Sequence, residues 1–372
     1  LPADVNIPHA SGYRRLHNIR RNLGRKVFGA LHLALIYVMG YFLIGTALPS
    51  VALVLWSLSA GGPLWGIAAA FAAIPLGFAT YITALLVLKG LIGRLETGTV
   101  PLYSLRYLRH WFTSYLLENT KTILNPMYAT VYLPPLLRAL GARIGKGVEV
   151  STVSHICPDA LDVGAGSFLA DACLVGGQRV HDGRMEVGPV RIGSRTFIGN
   201  SALVPGGRTI GDDALIGVGS TPPADAAVVP DGTRWLGAPG FALPNTQQIS
   251  CFTSQEIFAP SIWARLERAV TDLGRILLPG LIATTTGIMF VAALVFAYRT
   301  VSLWAAIAAV PVLAFALTYL AVAMAALVKL LLTGRQKPEV KPLWSRFIWH
   351  NEVVNGVYEC VAATAVEPLM GT

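Results

Sequence analysis

Two histidines, His155 and His181, stand in segments that break an otherwise regular sequence pattern. An imidazole that ionises near neutral pH suits a general base. Each has carboxylates nearby: Asp159 four residues after the first, Asp182 beside the second, and Asp171 and Glu186 within the same stretch of chain. Such acids can hold a cationic group next to a base. Asn200, in the run IGNSAL, can donate a hydrogen bond toward the same region. Each has an ordinary alternative: a solvated loop histidine, a surface acid, or an asparagine stacked at a corner. No metal site is expected. Cys157, Cys173, Cys251 and Cys360 have neither CxxC pairing nor metal-ligand spacing, and they read as free thiols in a reducing compartment. His110 and His350 belong to aromatic-rich amphipathic segments and read as membrane-surface groups; His9, His17 and His32 carry no identifiable chemistry.

The regular pattern around the two histidines is a hexad. Residues 192–221 read IGSRTF, IGNSAL, VPGGRT, IGDDAL and IGVGST, with an aliphatic residue opening each one. A small residue usually follows four positions later, and Gly often stands second, where it is expected to ease the turn. Six residues make one flat face of a triangular coil, and repeats of this kind stack into a parallel β-helix. Coils built from hexads wind left-handed, an exception to the right-handed crossover rule. Weaker hexads precede the run at IGKGVE (144–149), VGAGSF (163–168) and LADACL (169–174), and VVPDGTRWLGAPG (228–240) reads as a terminal coil. The interruptions at 151–161 and 175–190 hold the two histidines, and solenoid insertions often carry the binding site.

Apolar blocks flank the coil. Hydrophobic residues make up 54% of the chain and charged ones 13%. Residues 30–56, 64–87, 276–298 and 301–328 contain no Asp, Glu, Lys or Arg. Each block is longer than the ~20 residues a helix needs to cross the hydrocarbon layer. Backbone groups in lipid must be satisfied within the segment, so four transmembrane helices in two hairpins are expected. The net charge of +9 raises the possibility of nucleic-acid binding, but the coil from Arg143 to Arg234 has 8 basic and 10 acidic residues. The basic residues flank the spans instead: Arg14, Arg15, Arg20, Arg21, Arg25 and Lys26, then Lys89 and Arg94, then Arg265, Arg268 and Arg275, then Lys329, Arg335, Lys337 and Lys341. All four groups fall on one side of the hairpins, which the positive-inside rule makes cytoplasmic. A multi-pass plasma-membrane protein with a cytoplasmic coil is expected, with the lipid bilayer as partner and no nucleic acid.

A longer repeat overlies this arrangement. Arg94, Pro101, Leu102 and Ser104 recur as Arg335, Pro342, Leu343 and Ser345, each 241 residues later. Each hairpin is followed by an amphipathic segment, and in the first copy Tyr103, Tyr107, Trp111 and Tyr115 recur at helical spacing, suiting a helix at the membrane interface. The unit is hairpin, interfacial helix, coil. The expected segments are a basic cytoplasmic leader (1–27), a first hairpin (28–94), an interfacial helix (95–127), the hexapeptide β-helix (128–245), a linker with an amphipathic helix (246–275), a second hairpin (276–333), and a second interfacial helix opening a further repeat (334–372). The start at Leu1 and the stop where a second coil is due read as a piece of something longer. The fold class is therefore membrane α-helical hairpins plus an all-β left-handed parallel β-helix.

This unit resembles the C-terminal region of the poly-ε-lysine synthetase family of nonribosomal peptide synthetases. The resemblance rests on SHICPDALDVGAGSFLADA (154–172), GPVRIGSRTFIGNSALVPGG (188–207) and PLWSRFIWHNEVVNGVYE (342–359), within an alternation that covers nearly the whole chain. It implies tandem β-helix domains interleaved with membrane helices, downstream of adenylation and carrier domains. The implied reaction joins an aminoacyl thioester, borne on the phosphopantetheine of a partner carrier domain, to the amine of an amino acid. No cofactor is implied for this chain itself. Neighbouring β-helices are implied partners, as a pseudo-trimer or a homo-oligomer. His155 and His181 become the implied bases, with Asp159, Asp171, Asp182, Glu186 and Asn200 on the substrate. The sequence departs from the family's last β-helix, where a QTHLFEDRVM-like stretch carries a histidine, because Gln178 stands at that place. Three readings stay open: a condensation module, a non-catalytic β-helix scaffold that completes a shared cleft, and a path for product export. A standalone membrane-anchored acyltransferase fits the same features.

Overall fold

The computed structural model describes residues 23–223, 226–244, 252–253, 257–258, 260–335, 340–364 and 366–367. Most of the basic leader, His9, His17, Cys251 and Lys337 lie outside them.

Four helices are long and apolar enough to cross a membrane, and they pair as two hairpins. Helix α1 (Arg25–Gly61) meets α2 (Pro63–Ile92) at Gly62 alone, whose φ of 74° reverses the chain, while Pro63 starts the return helix without needing an N–H partner. Strand β1 (Gly98–Pro101) and helix α3 (Leu105–Ile123) follow, and the Ser104 hydroxyl caps α3 by accepting from the Tyr107 N–H at 3.2 Å. A short α4 (Leu133–Ala139) leads into the coil. After the coil, α5 (Ile262–Thr300) is a single helix that joins the expected amphipathic segment to the third span. It turns at Val301–Ser302 into α6 (Leu303–Leu332). Helix α7 (Arg346–Val357) runs on into a π-turn over Tyr358–Ala363.

The coil is a stack of two- and three-residue strands in parallel ladders. One ladder orders β2 (Arg143–Ile144), β4 (Leu161–Val163), β9 (Val190–Ile192), β12 (Thr209–Ile210) and β14 (Val228–Val229). A second orders β3 (Glu149–Val150), β5 (Phe168–Leu169), β10 (Phe197–Ile198), β13 (Leu215–Ile216) and β15 (Arg234–Leu236), closed by an antiparallel β16 (Phe241–Ala242). The third pairs β6 (Leu174–Val175) with β11 (Leu203–Val204). The hexad register is kept: Ile192, Ile198, Val204, Ile210 and Ile216 point inward and are at most 3% exposed. The small residues four positions on, Thr196, Ala202, Ala214 and Ser220, are equally buried.

The second-position glycines have a different role from the one the turn argument predicts. The left-handed corner falls two residues later, at Arg195 (φ 53°), Ser201 (56°), Asp213 (53°) and Gly219 (62°). What requires Gly193 is the next coil: a Cβ there would lie 2.5 Å from the Asp212 nitrogen. Gly164 and Gly211 meet the neighbouring backbone in the same way. Glycine sets how closely successive coils approach.

Helix α3, expected at the membrane interface, also packs inward. Phe112, Leu116 and Leu117 of this helix are buried in a core shared with Tyr81 and Leu85 of α2, with α4 and with the coil interior. His110 is 2% exposed rather than at a membrane surface. Trp111, packed at the edge of the same core, stacks on Tyr115 (centroids 5.3 Å apart) and on His32 of α1. Helix α3 is thus a wedge between the first hairpin and the coil. The coil meets both hairpins at the same end, through Lys89 of α2 and Arg268 of α5.

Candidate functional site

The second interruption is a folded hairpin. Strand β7 (Arg179–His181) pairs antiparallel with β8 (Arg184–Val187), and β8 pairs in turn with β1, Val100 opposite Met185. Asp182 (φ 47°) and Gly183 (φ 70°) form the turn, the positive-φ pair that two-residue hairpins favour. The dipeptide Asp-Gly between short alternating segments is a readable hairpin signal that the sequence reading missed. Met185, Val187, Val100, Leu95 and Cys157 form a small core under this sheet, so the hairpin is braced rather than loose.

That bracing brings three of the expected residues together. His181 Nε2 is 3.1 Å from Glu186 Oε1, and Nδ1 is 3.6 Å from Asp182 Oδ2. All three side chains are about half exposed or more. The first is a close ion-pair distance and the second a longer one. The ring therefore has a carboxylate beside each nitrogen, Glu186 at Nε2 and Asp182 farther off at Nδ1. A groove runs past this group, lined by Thr97, Thr99, Arg179, Glu186 and glycine backbone. Cβ atoms at Gly98, Gly177 or Gly207 would meet nothing within 4 Å, whereas those at Gly188 and Gly206 would meet neighbouring backbone.

His155 sits apart in the first interruption. It is exposed, holds φ 58°, and donates its backbone N–H to Glu118 of α3 at 3.0 Å. Lys121 donates to the neighbouring Ser154 hydroxyl at 2.6 Å. Gln178, before the hairpin, donates to the Ser114 hydroxyl at 2.9 Å. Ser114 and Glu118 are one helical turn apart, so α3 anchors both interruptions along one face.

The remaining expected residues are committed to internal bonds or stand elsewhere. Asp159 is 3.0 Å from Lys89 Nζ, with both side chains under 10% exposed, and it also accepts the Leu95 N–H. This ion pair fastens the coil to the end of α2. Asp171 accepts from Ser151 Oγ and, at 3.1 Å, from Thr152 Oγ1, bracing a coil corner. Asn200 is exposed at another corner, where its carbonyl accepts from the Gly219 N–H. The Cys157 thiol is pushed up to about 11 and that of Cys173 to about 12, burial being the main cause in both and the Asp159 charge adding to the first. Neither offers a thiolate near neutral pH.

The least anticipated cluster is buried where coil, second hairpin and α7 meet. Arg268, 1% exposed, pairs with Glu149 of β3 at 2.5 Å and lies 3.5 Å from Glu352 of α7. Its guanidinium carbon sits 5.1 Å from the Trp344 ring centre. Asp272, one turn on and fully buried, accepts the Val131 N–H at 2.8 Å, and Arg275 approaches Glu352 at 3.7 Å. Burial pushes the Glu352 carboxyl up to about 7, against the lowering effect of Arg268. The sequence shows these residues as flanking charges, with no sign that they converge.

No protein-family profile matches the chain. Delta-poly-L-ornithine synthetase of Acinetobacter baumannii is 34% identical over 269 residues, 72% of this chain and 20% of that protein. The chain thus spans about a fifth of the length of that curated relative. Among solved structures, the soybean serine acetyltransferase apoenzyme aligns over 52% of this chain and 67% of its own, with 18% identity and a TM-score of 0.27. A galactoside acetyltransferase in complex with coenzyme A aligns over 39% and 85%, with 18% identity and a TM-score of 0.26. A hexapeptide-repeat acetyltransferase from Vibrio cholerae aligns over 36% and 93%, with 15% identity and a TM-score of 0.24. Scores this low carry no argument about chemistry.

Proposed function

We propose that this chain is the membrane-tethered, acyltransferase-like part of a poly-amino-acid synthetase. The identity to a poly-ornithine synthetase over 72% of the chain is the observation that carries the reading. The finer reading is a nonribosomal peptide synthetase condensation module, with a left-handed β-helix on the cytoplasmic side of the plasma membrane. The hexad register, the parallel ladders and the basic flanks of both hairpins support it. Carrier and adenylation domains and further β-helices are the proposed partners.

In this reading the groove beside β7 and β8 takes the phosphopantetheine arm of a carrier domain. Its floor leaves room for an extended arm at Gly98, Gly177 and Gly207, where a Cβ would meet nothing within 4 Å. When bound, the arm supplies an activated acyl carbon. Asp182 attracts the ammonium of the incoming amino acid toward His181. His181 Nδ1 takes the proton that the attacking amine sheds and returns it to the departing sulfur. Glu186 keeps the ring oriented and stabilises its transient positive charge, as a carboxylate behind a catalytic imidazole does. His155 is the second candidate base.

A non-catalytic scaffold is the competing reading, favoured by Gln178 standing where the resemblance puts a histidine and tethering itself to Ser114 instead. The deciding experiment uses the full-length synthetase in native membranes, with polymer measured by mass spectrometry. General-base loss predicts a fall of about 100-fold or more for His181→Ala at unchanged membrane abundance. Full polymer yield from both His181→Ala and His155→Ala would leave the scaffold reading standing.

A further inference from the structure

A second groove lies at the C-terminal end of α3 and adjoins the membrane-spanning region. Its outer part is formed by the end of α3, the 151–155 segment and the C-terminal helix, with Lys121, Asn125, Thr152 and Glu359 around it. Its inner part is a shallow crevice between α5, α6 and the π-turn, lined by Ala283, Thr286, Gly287, Phe290, Leu317 and Thr318. Cys360 and Thr364 line both parts, so the two adjoin at the π-turn.

The two ends differ in chemistry. The inner lining includes no charged side chain. Its threonines present no free donor, because Thr286 Oγ1 donates to the Ile282 carbonyl at 3.0 Å and Thr318 Oγ1 to the Ala314 carbonyl at 2.9 Å. The wall is therefore apolar in effect. Gly287 opens it further, since a Cβ there would meet nothing within 4 Å. The outer end has one charge of each sign. Lys121 uses two of its three donors, on Ser154 at 2.6 Å and Glu118 at 3.3 Å, which leaves one. Glu359 is exposed and makes no ion pair with a described residue.

Length separates the possible occupants. Arg275 of α5 marks the coil-side boundary, and Ala283 and Phe290 follow 8 and 15 residues later. At 1.5 Å per residue the crevice lies about 12 to 22 Å beyond that boundary. Half of the hydrocarbon layer is about 15 Å. The crevice thus straddles the midplane, its near end at Ala283 within reach of an acyl chain from the leaflet that faces the coil, and an uncharged wall gives no foothold to a cationic polymer.

We infer that this groove binds one glycerophospholipid with a zwitterionic phosphoethanolamine head, the phosphate against Lys121, the ammonium against Glu359 and one acyl chain in the α5–α6 crevice. The inference requires that the helices span a bilayer, and it is independent of the acyl-transfer reading. The lipid fills a seam between the second hairpin and the coil's first interruption.

The test purifies the full chain from nanodiscs of phosphatidylglycerol mixed equally with phosphatidylethanolamine, and counts retained lipid by native mass spectrometry after detergent washing. One phosphatidylethanolamine per chain is expected, enriched at least about tenfold over phosphatidylglycerol. Glu359→Gln should remove the enrichment while a lipid is still retained. Gly287→Leu, filling open space at the other end, should lower retention of either lipid about tenfold. Equal retention of both lipids by the wild-type chain, or none of either, overturns the proposal whatever the variants do. So does a Gly287→Leu chain that holds lipid as the wild type does.

Discussion

Replacing Arg268 by methionine tests how the coil is fixed to the second hairpin. The side chain is 1% exposed and faces Glu149, Asp272 and Glu352, three carboxylates on three different elements. Removing one member of such a buried set costs about 3–5 kcal/mol, because the partners keep their desolvation cost and lose its compensation. The pH dependence makes the test specific. Glu352 already titrates near 7 in the folded chain, above the ordinary carboxyl value of 4.5. Its folded form holds the proton more tightly than the unfolded form, so its contribution is most favourable below about 4.5. That advantage is lost as pH rises through 7. The shift corresponds to about 3 kcal/mol at about 1.4 kcal/mol per unit, an upper figure for a group that keeps some solvent contact. Without Arg268 the same carboxyl is pushed higher still. Arg268→Met should therefore be strongly destabilising at pH 8 and partly rescued at pH 5. The assay is thermal unfolding of the chain in detergent at both pH values, with hydrogen exchange at β3 and α7 to place the loss. Glu149→Gln and Glu352→Gln added to Arg268→Met should recover part of it, since only Asp272 and Arg275 of the cluster then keep a charge. A penalty that is equal at pH 5 and pH 8, and unrelieved in the triple variant, would refute the argument from buried charge.

Two further outcomes follow from packing. Gly193→Ala should destabilise the coil by about 1–3 kcal/mol, since its Cβ would sit 2.4 Å from Asp212 Oδ1 and 2.5 Å from backbone. Gly177→Ala, with nothing within 4 Å, should stay within about 0.5 kcal/mol, and parity between the two in the same melting assay would contradict the close-approach account. Cys157, with its thiol near 11, should be about one-thousandth thiolate at pH 8, and Cys173, near 12, less still. Site-resolved mass spectrometry after iodoacetamide treatment should find both unmodified in the folded chain and modified after denaturation; rapid labelling of either in the native state would show that its pocket opens.

The sequence by itself carried everything that depends on periodicity. Uncharged runs longer than a bilayer gave four helices, because lipid leaves the backbone no other partner. Hexads gave the inward positions Ile192 to Ile216, because a residue every six places must return to the same face of a flat-sided coil. Their second-position glycines were visible too, but their reason was not: the clash at Gly193 is with Asp212, and only stacked coils bring that backbone within reach. The chemistry was half legible. His181, Asp182 and Glu186 were read as neighbours along the chain, and Asp182-Gly183 is the local signal that folds them into one hairpin group. In sequence Asp159 suits a substrate ligand equally well; its burial against Lys89, 70 residues earlier, is tertiary. His110 suits a surface group by sequence, and only the packing of α3 buries it. The Arg268 cluster was silent in sequence because its members are 119 and 84 residues from their partners Glu149 and Glu352. Pattern along a chain reports what each segment needs from solvent or lipid. Which charges meet inside is decided when the coil, the hairpins and α7 pack, and that is a property of the tertiary structure alone.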